Sequence, residues 1–390
     1  MTMGSSSDGR FVLGILATRG TNRPASSRDP FPGRTRTFQE MTRLARKQDV
    51  DVAVFSPKRI DKRHSRVLAW VFVPRRGWVQ RYYPLPSVIY NRVANRRAEA
   101  RPSVQGMLAW LKTKGVVVFN PRFLDKWDVY AALQADQILR PSVPETVLYT
   151  NPGQVLDGLR RWAVVYCKPR RGSLGTGIAA LWLSRDGRVA VRRNGVGVGT
   201  VMLRLPSTQA ACRWADQRLR PYRYCLQKGV KLATTQGRRF DIRALVQKDG
   251  QGTWRFTGAA ARVAGRGQLT THVPRGGSRL ALRSALGRAL RNPLEVERVE
   301  QELAELSEAA AVSLEKDQGE VFGEFSLDVG LDKEGKLWIL EVNAKPFRFD
   351  EAEIRHRAFE RLIAFARYLG QEASTSLEDA DQVPVASPCR

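Results

Sequence analysis

Apolar and polar positions in this chain recur with two periods, and the changes between them lay out its elements. Phe11–Ala17 is a short apolar run, Val50–Phe55 is a second, and between them Phe38, Met41, Leu44 and Ala45 recur at helical spacing, so strand, helix and strand are predicted in that order. Residues 70–73 and 78–83 flank Pro74-Arg75-Arg76-Gly77 as a hairpin, and Val88-Ile89-Tyr90 is a third candidate parallel strand. Val116 to Phe119 is a compact β-branched run stopped by Asn120-Pro121. Trp127, Tyr130, Ala131, Leu133 and Ile138 then predict a helix over residues 126–139, ended by Pro141 and Pro144. Residues 162–167 form a continuous apolar strand leading into a Gly-rich turn, while residues 181–183 and 189–191 are set to pair around Asp186-Gly187, which suggests a small sheet covering a ligand. Asn292-Pro293-Leu294-Glu295 starts a helix by N-capping, with Val296, Val299, Leu303, Leu306 and Ala310 on one face. A last helix is predicted over residues 351–369, with Ile354, Ala358, Leu362 and Phe365 inward and Gly370 as its C-cap. The Gly/Ser-rich segment 1–10 and the Ser-, Pro- and acid-rich segment 371–390 are expected to be disordered.

With 390 residues, 43% of them hydrophobic, the chain calls for two or three packed units. No run approaches the roughly 20 apolar residues of a membrane helix, and residues 1–10 lack the apolar core of a signal peptide, so a cytoplasmic protein without a membrane span is expected. Cys167, Cys212, Cys225 and Cys389 show no C-x-x-C spacing, and His64, His272 and His356 are far apart, which argues against zinc. Lys+Arg number 65 against 38 Asp+Glu, a formal charge of +27 that attracts acidic substrates, anionic surfaces and nucleic acid alike. The basic residues are scattered in pairs such as Arg75-Arg76 and Arg238-Arg239 with no nucleic-acid-binding signature, so no specific nucleic-acid partner is expected.

Two distant stretches carry the chemistry. In Lys168-Pro169-Arg170-Arg171-Gly172-Ser173-Leu174-Gly175-Thr176-Gly177, a strand delivers a lysine to a loop whose glycines let backbone amides approach phosphate oxygens; taken alone it also reads as a strand-to-strand turn, and it is not a Walker A loop. In the second, residues 321–331 and 336–343 read as a hairpin around Asp332-Lys333-Glu334-Gly335. A four-residue loop would set Asp328 opposite Ile339 and Ser326 opposite Glu341, placing Asp328, Glu341 and Asn343 on one face as oxygen donors for magnesium or manganese; a one-residue slip would separate Asp328 from Glu341. Phosphate loop and metal strand together point to an ATP-using enzyme. Between them, Asp241 and Arg243 share one face of a strand, either as an ordinary surface pair or with Arg243 acting on phosphoryl oxygens. His272 is a candidate base without an identifiable partner.

The order Lys126, Lys168 with its Gly-rich loop, Gln227-Lys228-Gly229-Val230, Phe240-Asp241-Ile242-Arg243, Arg262, Asp328 and Glu341-Val342-Asn343 resembles the ATP-grasp superfamily. Within it, residues 86–92, Phe123-Leu124-Asp125-Lys126-Trp127, Pro144-Glu145-Thr146 and Trp338-Ile339-Leu340-Glu341-Val342-Asn343-Ala344-Lys345-Pro346 are similar to the YheC/YheD endospore coat-associated proteins. The resemblance spans residues 11–369 and implies an α/β fold of α+β subdomains: an N-terminal pre-ATP-grasp domain over 11–118 and an ATP-grasp domain over 119–370, with a lid at about 140–226 and a catalytic subdomain at about 227–370. It further implies that Lys126, Lys168 and the loop with Gly172, Ser173, Gly175 and Gly177 hold the phosphates of ATP, that Gln227, Val230 and Asp241 belong to the nucleotide site, that Asp328, Glu341 and Asn343 bind Mg2+ (Mn2+ being the other fitting ion), and that Arg243 and Arg262 stabilise the phosphoryl group in flight. The implied activity is ATP-dependent joining of a carboxylate to an amine or thiol through an acyl phosphate, on an acidic or carboxylate substrate, in the mother-cell cytoplasm or at the spore coat with coat proteins as partners. A coat scaffold that keeps the fold without turnover is the alternative. His272 departs from the asparagine common at that place.

Overall fold

β-Branched and aromatic residues concentrate in the runs that form the first sheet. A computed structural model of the chain describes residues 9–21, 23–172, 175–194, 200–265, 271 and 276–381; of the residues singled out above, segment 1–8, Ser173, Leu174, His272 and segment 382–390 with Cys389 lie outside the described residues. The first unit runs β1 (Phe11–Ala17), α1 (Thr35–Arg46), β2 (Val50–Phe55), β3 (Ile60–Asp61), β4 (Arg66–Val73), β5 (Gly77–Pro84), β6 (Val88–Arg92), α2 (Arg96–Glu99), α3 (Pro102–Thr113) and β7 (Val117–Phe119). Its strand order is β3-β4-β2-β1-β6-β7 with β5 on β4, and β1 is parallel to both β2 and β6 as their patterns predict. The β4–β5 hairpin forms with Val73 opposite Gly77.

A second, antiparallel sheet follows α4 (Lys126–Ala135). It contains β8 (Thr146–Leu148), α5 (Gly153–Arg161), β9 (Val165–Pro169), β10 (Ala179–Leu183), β11 (Val189–Asn194), β12 (Thr200–Leu205), α6 (Thr208–Arg218) and β13 (Tyr224–Lys228), in the strand order β12-β11-β10-β9-β13-β8. Leu181 faces Val191 and Leu183 faces Val189, the pairing expected around Asp186-Gly187. Helix α4 is shorter than predicted. Asp136 leaves the helix with an extended ψ of 122°, its Oδ1 accepts from Ile138 N at 2.9 Å and Leu139 N at 3.1 Å, and Ile138 is 83% exposed instead of lying on a buried face.

The third sheet is built from β14 (Thr234–Thr235), β15 (Arg238–Lys248), β16 (Trp254–Val263), β17 (Ser278–Ala281), β18 (Glu324–Leu331) and β19 (Leu337–Asn343), in the order β17-β16-β15-β18-β19 with β14 on β15. Two helices, α7 (Leu282–Leu290) and α8 (Pro293–Gln318), cover one face. Asn292 caps α8 by accepting from Leu294 N at 3.1 Å, Pro293 opens it, Gly319 at φ 61° closes it, and Val296, Val299, Leu303 and Ala310 are buried beneath it as their spacing requires.

The last helix, α9 (Ala352–Asp381), joins the first and third units. Phe359, Leu362, Ile363, Phe365 and Leu369 pack with Leu13, Ile15 and Tyr90 of the first sheet, while Ile354 and Ala358 pack with Leu245 and Ala260 of the third. Contrary to expectation, Gly370 does not cap this helix, which continues to Asp381, so no irregular tail begins at 371. Its role is close approach: a Cβ built there would lie 2.5 Å from Phe11 Cε2. Polar groups stitch the same seam. Glu324, 4% exposed, accepts from Tyr90 Oη and from Gln247 Nε2 at 3.1 Å, while Arg92 donates to Pro346 O at 2.8 Å and Asn120 bonds both Glu324 O and Ala344 O. Burial pushes the Glu324 carboxyl above its ordinary value against the pull of Arg92. Among the described residues no helix is long and apolar enough to cross a membrane.

Gly370→Val should overpack the α9–β1 contact and lower unfolding stability by about 1–3 kcal/mol; a urea midpoint equal to the parent's would contradict this.

Candidate functional site

Register on β18 and β19 decides whether the acidic residues can meet. The hairpin closes one residue wider than predicted, with Leu331 opposite Leu337, a slip that by itself would turn Asp328 away from Glu341. A bulge cancels it. Val329 faces Ile339, the register shifts between Asp328 and Val329, and Asp328 then faces Glu341 directly while Ser326 faces Asn343. Asp328, Glu341 and Asn343 therefore share one face, with Asp328 and Glu341 as direct rather than diagonal neighbours at about 4.5–5.5 Å between Cβ atoms. The residue skipped by the bulge is Leu340, whose carbonyl accepts from Tyr130 Oη at 2.7 Å and from Lys168 Nζ at 3.1 Å.

Cations from three elements compensate these two carboxylates, Asp328 buried and Glu341 partly so. Lys126, the first residue of α4, places Nζ 2.8 Å from Glu341 Oε1 and 3.1 Å from Gly172 O. Asp125 Oδ1 caps α4 at Trp127 N (3.0 Å) and also holds Arg170 Nε at 2.8 Å, which ties the helix start to the end of β9. Lys168 on β9, 8% exposed, donates to Gln227 Oε1 at 2.5 Å, Tyr130 Oη at 3.3 Å and Leu340 O. Burial, opposed by Glu341, pulls its ammonium down to about 8. At Glu341 burial works upward most strongly, but the charge and hydrogen bond of Lys126 together with the charge of Lys168 hold the carboxyl below the usual carboxylate range.

Arg262 on β16 supplies the third cation. It bonds Asp241 through Nε at 2.8 Å and Nη2 at 2.9 Å, and Nη2 lies 2.9 Å from Asp328 Oδ2. Burial works against this guanidinium, yet Asp328 and Asp241 overcome it and raise it above an ordinary arginine. Asp241 also accepts from Thr271 Oγ1, so it pairs with Arg262 rather than with Arg243. Arg243 faces Asp328 across the β15–β18 ladder, lies over the Phe349 ring at 5.0 Å and donates to Phe347 O at 2.9 Å, while its buried Nε makes no hydrogen bond among the described residues. Burial lowers it, with Asp328 opposing.

The remaining predicted residues flank this cluster. Gly175 and Gly177 have φ of 67° and 75°, the left-handed region that favours glycine, and Gly175 O accepts from Asn194 Nδ2 at 2.7 Å. Gln227, 2% exposed, bridges Lys168 to Thr146 Oγ1, with Nε2 at 2.8 Å from that hydroxyl. Just beyond β13, Gly229 N bonds Val164 O at 2.8 Å and Val230 O accepts from Leu232 N at 3.1 Å. Tyr130 and Asp125 were missed as site residues. Tyr130 reads as one more apolar position of a helix, and only its hydroxyl, buried at 1% exposure, marks it as polar business in a core.

A family model described as YheC/D like ATP-grasp matches residues 115–369. The chain belongs to that family. It is similar to two endospore coat-associated proteins of Bacillus subtilis (strain 168): YheD, at 28% identity over 90% of this chain and 77% of that one, and YheC, at 25% over 75% and 80%. In three dimensions it resembles the VanG D-Ala:D-Ser ligase from Enterococcus faecalis, with a TM-score of 0.51 and 12% identity over 93% of this chain and 99% of that one, a likeness of fold.

An ATP-grasp fold implies ATP and a divalent metal, and the donor chemistry here suits both. Asp328, Glu341 and Asn343 offer oxygen only, which fits a hard cation. Among the described residues no group of three His, Cys, Asp or Glu could hold a metal by itself. Two carboxylates already engaged by Lys126 and Arg262 would suit a divalent cation that draws its remaining ligands from phosphate oxygens.

Arg262→Met would leave Asp241 and Asp328 buried without the cation they share, so stability at pH 7 should fall by about 3–5 kcal/mol. Acid neutralises the uncompensated charge, so the deficit should shrink as the solution is acidified. A urea series in which the deficit is constant with pH would refute this origin.

Proposed function

We propose that the protein is a Mg–ATP-dependent ligase that activates a carboxylate as an acyl phosphate and joins it to an amine or a thiol. The observation that carries this reading is the convergence of Lys126 from α4 and Lys168 from β9 on the Leu340–Glu341 bulge of β19. Two elements distant in the chain present ammonium groups beside paired carboxylates, a charge pattern that suits a triphosphate with its cation.

In this reading the terminal phosphoryl group passes from ATP to an oxygen of the substrate carboxylate and ADP leaves. The nucleophile's nitrogen or sulfur then bonds the carbonyl carbon, the bond to phosphate oxygen breaks, and the nucleophile's proton goes to solvent. Lys126 and Lys168 take the phosphates, with the loop of Gly172, Ser173, Gly175 and Gly177 closing over them. Gln227 and Val230 line the base. Asp241 holds the Arg262 fork in place, and Arg262 and Arg243 bond the oxygens of the group in transfer. Asp328, Glu341 and Asn343 would hold the magnesium, which neutralises phosphate charge. The Lys126–Glu341 pair opens as nucleotide enters, so the lysine exchanges a carboxylate for phosphate oxygens.

A second reading, a nucleotide-binding coat component without turnover, is favoured by the names of YheD and YheC, which describe coat association and no reaction. Those names also support mother-cell synthesis and coat proteins as partners.

Millimolar Mg–ATP should stabilise the parent by about 2.7 kcal/mol at a hundredfold excess over Kd, and Lys168→Ala should lose most of that thermal shift. Lys168 loses its proton above about 8 in the folded protein while an unfolded lysine keeps it to 10.5, so the group's unfavourable contribution to stability is present below pH 8 and relieved as pH rises through that window. Phosphate binding favours the charged form, so affinity for ATP should fall as pH rises past 8; a flat profile in the parent would count against Lys168 as a phosphate ligand. ADP release with acidic peptides and amino acids, using Glu341→Gln as blank, separates ligase from scaffold.

A further inference from the structure

Away from the carboxylate cluster, a cavity of about 620 Å³ opens between α1, the 348–350 segment and the start of α9. Residues 36, 39, 40 and 43 fall at i, i+3, i+4 and i+7, so one face of α1 turns Arg36, Glu40 and Arg43 into this space while Phe38, Met41 and Ala45 are buried behind it. Arg348, Asp350 and Arg355 form the opposite wall. Four guanidiniums thus line the cavity against two carboxylates, and both acids are already engaged: Glu40 by Arg348 at 3.5 Å and Arg355 at 3.1 Å, Asp350 by Arg279. Arg36 and Arg43 are exposed and form no ion pair among the described residues, Arg43 lying over the Phe72 ring at 5.2 Å. The cavity is joined to the site by the chain itself: Arg348 follows Asn343 by five residues, at most about 18 Å of extended chain, and Arg243 grips Phe347 O on the way.

We propose that this cavity docks an acidic peptide, the acceptor of the ligase reaction. The substrate class rests on the ligase reading above, whereas the docking itself does not. Arg36 and Arg43 stand about 10 Å apart along the helix axis. Carboxylates that share a face of an extended peptide lie two or four residues apart, about 7 or 13 Å, which brackets that separation within the reach of the arginine stems, and each guanidinium fork can take one bidentately. The volume lies within the range of ligand sites, roughly 300–1,000 Å³. The interspersed Glu40 and Asp350 choose among polyanions: a continuous phosphate backbone would meet them as like charges, whereas a peptide offers backbone N–H donors between its acidic side chains.

The test is fluorescence anisotropy of labelled hexaglutamate, with hexaglutamine and a six-nucleotide oligothymidylate as comparison ligands, alongside the Mg–ATP thermal shift on the same samples. Arg36→Glu with Arg43→Glu should weaken hexaglutamate binding about tenfold, which is about 1.4 kcal/mol. Arg36→Gln with Arg43→Gln, milder for the fold, should act in the same direction. Arg75→Glu with Arg76→Glu, in the β4–β5 turn, should change it less than twofold, and hexaglutamine should not bind. The Mg–ATP shift should survive in all three variants. Equal loss in the turn variant would assign binding to overall charge and overturn the proposal, as would unchanged binding in the α1 variants or an oligothymidylate that binds more tightly through the same arginines. Absence of a Mg–ATP shift together with Arg36- and Arg43-dependent peptide binding would overturn the ligase reading and leave the docking site standing.

Discussion

Two carboxylates on adjacent strands, Asp328 and Glu341, are the constraint on which the rest of the site depends. Pairs of like charge at that spacing, in a largely buried setting, persist only with opposite charge close by. Lys126 reaches them from the start of α4, Lys168 stands over the neighbouring carbonyl from the end of β9, and Arg262 comes from β16 with Asp241 holding its fork. The cluster therefore locks the second sheet against the third. Its cations are partnered by the acids, so an anionic ligand has to exchange with contacts already made.

A second constraint runs beneath the first. Asn343 leads through Ala344, Lys345 and Pro346 into the seam where Asn120, Arg92 and Glu99 of the first unit take hold of this segment. Burial pulls the Lys345 ammonium down to about 8 despite Glu99. The strand that carries Glu341 and Asn343 is thereby anchored by the N-terminal unit at its exit and by the bulge at its middle. Long helix α9 adds an apolar clamp, with separate faces on the first and third sheets.

Much of the fold could be read in advance because the signals were local. Asn292 before Pro293, the paired runs around Asp186-Gly187 and the parallel runs at Phe11, Val50 and Val88 form as expected. Errors fell where a polar side chain or a distant neighbour overrode periodicity. Asp136 ended α4 early by bonding its own downstream amides, and Gly370 looked like a helix stop until Phe11, from the other end of the chain, occupied the place of its side chain.

At the candidate site, residue types and their order along the chain were determined by the sequence: oxygen donors at Asp328, Glu341 and Asn343, lysines at the head of a helix and the end of a strand, glycines where backbone must turn left-handed. What they touch was decided only in three dimensions. The common face of Asp328 and Glu341 comes from a wider turn and a bulge whose displacements cancel, and alternation alone cannot distinguish that from the narrower register. Arg262 and Asp241 found each other across a ladder, and Tyr130 turned its hydroxyl to a carbonyl 210 residues away. Sequence dictates what each side chain is able to do, because that is local chemistry; which partner it meets depends on strand register and helix packing, set by contacts between segments that the chain keeps far apart.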